Sequence, residues 1–193
     1  MSDTEITNNT RDDLPWHAIR LFTIKQKEID ETLRQEGFET FIPMEKVDRR
    51  DSNNRLVHEL RPVVRNLIFF KKKMDDKYIR ETLVKLPYKM SVIRKNQQSA
   101  EYALISAKEM HEFQAMCNPD LAMKTFISED QAKLKKGTPV IVTHGPLKGM
   151  RGKLVRSNKM YYLLKDVPGI AVMIKVTRWC CKPLSIGQEA TQS

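Results

Sequence analysis

Segments with period two and segments with period near 3.6 follow one another along the chain, and their order predicts its elements. Trp16–Phe22 (WHAIRLF) is apolar at both alternating sets of positions, the pattern of a central strand covered on both faces. Lys25–Glu36 carries Ile29 and Leu33 at i, i+4, with Gly37 placed to stop the helix this predicts. Phe38–Val47 returns to strand character. Arg49–Arg55 (RRDSNNR) reads as the polar tip of a hairpin, Leu56–Val64 as its return strand, and Asn66–Lys73 as a further strand with a basic end. Asp75 or Asp76 can cap a second helix running to about Leu86, where Pro87 ends it. Met90–Arg94 is a short strand. Ser106 with Glu109 fits a capping box and Ile105 with Met110 the accompanying apolar pair, so a third helix should run to about Met116.

Residues 117–134 have no clean periodicity, contain Asn118-Pro119 and read as an interdomain linker. From Gly137 onward, short β runs alternate with Gly-rich turns. Pro139–His144, Gly152–Arg156, Met160–Lys165 and Ala171–Val176 suggest a small barrel. The expected fold class is α+β. A ferredoxin-like split βαβ domain covers 15–116, a linker 117–134 and a small C-terminal β-barrel 135–184, with a disordered tail at 1–14 and a second tail at 185–193. Such a fold hosts many functions and decides none by itself.

Charge sharpens the picture. The net charge is +10, but residues 133–184 hold 12 Lys/Arg against the single acid Asp166. A block of that kind is an electrostatic footprint for RNA, DNA or an acidic protein surface, or else it serves solubility alone. Cys117, Cys180 and Cys181 include no CxxC pair, which points to free thiols in a reducing compartment. No apolar run approaches the ~18 residues of a membrane span, and the polar first fourteen residues do not read as a signal peptide. The chain is therefore expected to be cytoplasmic, monomeric and without membrane contact. His17, His58, His111 and His144 are scattered, and no HExxH, nucleophile elbow, Walker A loop or GxGxxG is present. No catalytic residue, metal site or cofactor is expected, and an enzyme is the least supported class.

Gly137–Arg156 (GTPVIVTHGPLKGMRGKLVR) resembles the KOW motif, an SH3-like barrel element. Pro146 fixes φ in a turn, Gly145 and Gly149 can supply positive φ, and Gly152 lets a strand cross closely at a barrel corner. Upstream, Trp16-His17-Ala18-Ile19-Arg20 is similar to the opening strand of the NusG family, and Phe41-Ile42-Pro43 to its Phe/Pro signature. Pro62–Phe69 stands where that family has Pro-Leu-Phe-Pro-Gly-Tyr and an apolar strand, with Val64, Arg65, Asn66 and Leu67 departing from the pattern. The resemblance spans 16–184. The Asn66 substitution and the basic barrel make the chain similar to specialised paralogues of the RfaH and UpxY type.

The resemblance implies a transcription elongation or antitermination factor that docks on the clamp helices of the largest RNA polymerase subunit. At matching positions the apolar pocket would be lined by Trp16, Leu21, Val64, Leu67 and Phe69, which are equally readable as ordinary core. Non-template DNA would meet Arg20, Lys25, Lys27, Lys71, Lys72 and Lys73, with Arg49, Arg50 and Arg55 on the hairpin tip as a third basic group. The barrel would hold nascent RNA, a small-subunit ribosomal protein or Rho. Its expected contacts are Lys148, Arg151, Lys153, Arg156 and Lys159, with Val167 and Ile170 flanking a loop where Pro168 replaces the usual aromatic. The alternatives are a ribosomal-type KOW RNA-binding protein and a housekeeping member coupling to Rho or the ribosome.

Overall fold

The computed structural model describes residues 13–184. The expected tail 1–14, apart from its last two residues, and the tail 185–193 lie outside them. In chain order the elements are β1 (Trp16–Leu21), α1 (Gln26–Gln35), β2 (Thr40–Phe41), β3 (Met44–Arg50), β4 (Leu56–Pro62), β5 (Leu67–Lys71), α2 (Asp76–Lys85), β6 (Met90–Val92) and α3 (Ala107–Cys117). There follow β7 (Lys124–Ile127), α4 (Glu129–Leu134), β8 (Gly137–Val142), β9 (Arg151–Ser157), β10 (Met160–Val167), β11 (Ile170–Val176), a 3-10 turn (Arg178–Cys180) and β12 (Cys181–Pro183). The described residues divide into two compact units, 13–41 with 66–110, and 42–65 with 111–184.

The first unit is a four-stranded sheet in the order β2-β5-β1-β6, every neighbouring pair antiparallel. Its helices begin and end where local chemistry dictates. Gly37 at φ 87° lets Phe38 N–H reach Leu33 O and Gly37 N–H reach Arg34 O, both at 3.0 Å, a Schellman motif closing α1. The Asp75 side chain accepts from Tyr78 N–H at 2.7 Å and caps α2. Ser106 and Glu109 satisfy one another's backbone N–H groups at the start of α3, the expected capping box. Strand Phe38–Val47 does not form as one piece. It breaks into β2 and β3 at Pro43, which has no N–H to offer a ladder.

In the second unit, β3 and β4 pair from Met44↔Pro62 to Arg50↔Leu56, forming a separate two-stranded sheet. Asp51 Oδ1 accepts from Asn53 N–H and Arg55 N–H at 2.8 and 2.9 Å, which holds the hairpin tip with Asn54 at φ 60°. The hairpin groups with residues beyond 110, and the ion pair Lys46–Asp120 joins it to them. The remaining strands form one sheet in the order β12-β8-β9-β10-β11-β7. Gly145 and Gly149 take φ 86° and 87° in the turn between β8 and β9, as their positions predict. A Cβ on Gly152 would lie 2.7 Å from Leu164 O, so the close strand crossing does require glycine there.

Part of the stretch read as an interdomain linker forms regular elements. β7 pairs with β11 from Ala171↔Ile127 to Ile174↔Lys124. α4 opens on a Ser128–Gln131 capping box and buries Ala132 with Val155, Leu164, Ala171 and Met173. On β11 every residue from Ile170 to Ile174 is buried, so both of its side-chain sets are covered. The β7–α4 segment has too few apolar residues for a period of its own, and it is ordered by the sheet beside it.

Candidate functional site

β1 and β5 are the two inner strands of the first sheet, so both of their alternating side-chain sets are covered. That places Trp16, Leu21, Leu67 and Phe69, four of the five expected pocket residues, in the interior. Their exposures are 6, 2, 2 and 0 %. Trp16 exchanges backbone hydrogen bonds with Ile105, and the Phe69 ring packs 6.3 Å from Phe41. Val64, the fifth, is half-buried. These four side chains lie in the interior of this unit, where ordinary core residues lie.

Several apolar side chains of the first unit are exposed, Val84 and Leu104 among them, and two neighbouring ones lie just beyond β1. Phe22 and Ile24 are exposed, Ile24 at 88 %. Phe22 N–H donates to Lys89 O at 2.9 Å, joining the ends of β1 and β6, and Lys89 Nζ sits 5.9 Å from the Phe22 ring centroid. Beside them Glu28 accepts from Tyr88 at 2.7 Å and from Lys25 at 3.4 Å, which together hold its carboxyl below the usual range, Tyr88 contributing most. Phe22 and Ile24 are absent from the sequence-based site because an exposed position cannot be told from a buried one at the end of an apolar run.

The Lys71-Lys72-Lys73 run is not a free basic strip. Lys71 is buried, 3.1 Å from Glu39, with its ammonium 5.7 Å from the Trp16 ring centroid. Lys73 reaches the other oxygen of Glu39 at 3.0 Å, and Lys72 meets Asp76 at 2.7 Å. Lys73 is the main cause of the lowered Glu39 pKa, and Lys72 of the lowered Asp76 pKa. Two carboxylates thus face three cations. Lys25 and Lys27 are exposed and pair locally with Glu28 and Glu31, while Arg20 is the one exposed position on β1. Of the hairpin-tip arginines, all exposed, Arg50 is held by Asn54.

The C-terminal unit carries the freer charge. Lys148, Arg156 and Lys159 are exposed, and Arg151 and Lys153 are half-buried. Val167 and Ile170 are buried at 4 and 1 %, facing one another across the Pro168-Gly169 turn of β10 and β11. Gly169 N–H donates to Glu129 at 2.7 Å, which fastens this turn to α4.

Four side chains that sequence reasoning missed gather at another edge of this unit. Tyr161 has the guanidinium of Arg156 at 5.8 Å and that of Arg178 at 5.9 Å from its ring centroid. Trp179, next in the 3-10 turn, is 73 % exposed, and its ring lies 5.6 Å from His144 at an interplanar angle of 48°. Thr143 fixes the two loops together, donating to Cys180 O from its N–H at 2.7 Å and from its hydroxyl at 3.0 Å. The adjacent Arg178-Trp179 pair in an acid-poor block was the available signal. Among the described residues no group of three His, Cys, Asp or Glu is placed to hold a metal, and no helix is long and apolar enough to cross a membrane. The three cysteines are free, and burial pushes the Cys117 thiol up to about 12.

Compared with known proteins, residues 14–114, just over half the chain, match the family model described as transcription termination factor NusG. The chain matches no curated protein.

Proposed function

The chain belongs to the NusG family of transcription termination and elongation factors, and from that membership we propose that it rides on RNA polymerase and promotes processive elongation or antitermination. The observation that carries this is the match over 14–114, which includes residues 14–41 and 66–110 of the first unit. The strand order β2-β5-β1-β6 supports a ferredoxin-like split βαβ reading of that unit. The Gly145–Gly149 turn and the close crossing at Gly152 support a KOW reading of the C-terminal sheet. The partner proposed for the first unit is the clamp-helix region of the largest polymerase subunit. Its anchors are exposed Phe22 and Ile24 rather than the interior residues. Arg20, Lys25 and Lys27 are the cations available to nearby non-template DNA. The role is binding without catalysis. Holding the cleft closed disfavours the paused state by differential affinity for two conformations. The acid-poor block 133–184 supports a reading of the chain as a specialised paralogue of the RfaH and UpxY type, cytoplasmic and holding nucleic acid with that block.

The test is co-migration of the full chain with purified core RNA polymerase in the absence of nucleic acid. Stable binding is expected, weakened about tenfold or more by Ile24→Asp with Phe22→Asp. Absence of binding, in a chain that still holds RNA, overturns the proposal in favour of a ribosomal-type RNA-binding protein.

A further inference from the structure

We propose that Trp179, with Tyr161 and the guanidinium groups of Arg156 and Arg178 near its ring, forms a base-stacking site for single-stranded nucleic acid on the C-terminal unit. This deepens the nucleic-acid reading of that unit and rests on it, but it does not depend on polymerase docking.

The physical case begins with what these side chains do not do. An indole 73 % exposed contributes little to a core, and the tilted His144 ring supports it without covering it. Thr143 pins the backbone of the turn on which Trp179 stands, so its platform is fixed rather than free to fold inward. Arg156 and Arg178 approach one tyrosine ring although their charges repel, and neither meets a carboxylate among the described residues. The one acid of the 133–184 block, Asp166, stands five residues farther along β10 than Tyr161, about 17 Å away at strand spacing. A phosphodiester between the two guanidinium groups would offset their repulsion, and Arg presents the donors that phosphate geometry matches.

Cations alone would suit any polyanion. The aromatic component narrows the ligand, because every unpaired base offers a π-face to a protruding indole whereas the bases of a duplex are already stacked on one another. Lys148 and Lys159 are further exposed cations of the same unit. None of Trp179, Tyr161, Arg178 or His144 belongs to the contacts that the KOW resemblance implies.

The experiment uses the full chain and labelled twelve-nucleotide oligomers: single-stranded RNA, single-stranded DNA of the same sequence, and the matching DNA duplex, with an oligoglutamate peptide as competitor. The chain has two tryptophans, and Trp16 is buried, so quenching by a stacked base reads Trp179. Single strands should bind and quench. Trp179→Ala should weaken binding about ten- to a hundredfold with the salt dependence unchanged, and Trp179→Phe should retain most of the affinity. Arg156→Glu with Arg178→Glu should lower the slope of log affinity against log salt by about 1.4 for two lost phosphate contacts. Tighter RNA binding identifies the transcript as the source, tighter DNA binding the displaced DNA strand, and either supports the site. Wild-type affinity in Trp179→Ala, duplex binding as tight as single-strand binding, or equal competition by the acidic peptide overturns it. Trp179→Ala should still co-migrate with polymerase, which separates failure here from failure of the docking proposal.

Discussion

Lys165 on β10 donates to Glu112 on α3 across 2.6 Å, with only 12 and 9 % of the two side chains exposed. The other Glu112 oxygen accepts from Arg151 N–H at 3.4 Å, so one carboxylate joins the helix to two strands of the C-terminal sheet. Removing one member of a buried pair leaves the other charge uncompensated, which costs about 3–5 kcal/mol, whereas an apolar pair of similar volume is often neutral. Glu112→Ala should therefore lower the urea midpoint sharply, and Glu112→Leu with Lys165→Met should recover most of it. Equal losses in the single and double variants would show that packing, not charge, holds this contact.

The glycines of the β8–β9 segment should fail for different reasons when substituted. At Gly152 a Cβ would meet Leu164 O at 2.7 Å and Leu163 Cδ1 at 2.9 Å, and the first of these is backbone. Gly149 has open space around it but sits at φ 87°. Gly152→Ala should cost about 1–3 kcal/mol through overpacking. Gly149→Asn should cost clearly less, because Asn tolerates positive φ better than other residues. Chemical denaturation of the two variants side by side checks the order.

Burial lowers the pKa of His17, whose Nδ1–H donates to Ala103 O at 2.7 Å. The unfolded chain then binds the proton more readily than the folded one. This group's contribution to stability is whole above about pH 6.5 and is lost as pH falls toward the folded value, with a slope of at most about 1.4 kcal/mol per pH unit. The lowered carboxyls of Glu28, Glu39, Asp76 and Asp120 begin to lose their contributions only below about pH 5. A fall in stability between pH 7 and 5 should thus belong to His17, and urea titrations of His17→Asn should show a flatter profile over that interval.

Leu67→Asp should unfold the first unit rather than remove one binding contact, since Leu67 is 2 % exposed and its carbonyl accepts from the Gln26 side chain at 2.7 Å. Ile24→Asp, at a position 88 % exposed, should leave the circular dichroism spectrum and unfolding midpoint near wild type. A cooperative native-like transition in Leu67→Asp would mean that this strand tolerates a buried charge and that the core assignment is incomplete.

Local chemistry was legible in the sequence wherever the deciding interaction spans only a few residues. Gly37 ends α1, Asp75 starts α2, Ser106 and Glu109 start α3, and Gly145 and Gly149 shape the β8–β9 turn, all as their spacing predicts. The Ser128–Gln131 box was equally local, yet α4 reads as linker because its apolar partners, Val155, Leu164, Ala171 and Met173, lie far along the chain. Tertiary structure alone decided which charges are free. Glu39 neutralises Lys71 and Lys73 because β2 pairs with β5, and Glu112 meets Lys165 across fifty-three residues. It also decided which apolar residues can touch a partner. The pattern of Trp16–Leu21 shows that this strand is apolar on both faces, but whether those faces meet the protein's own core or another molecule depends on elements remote in sequence.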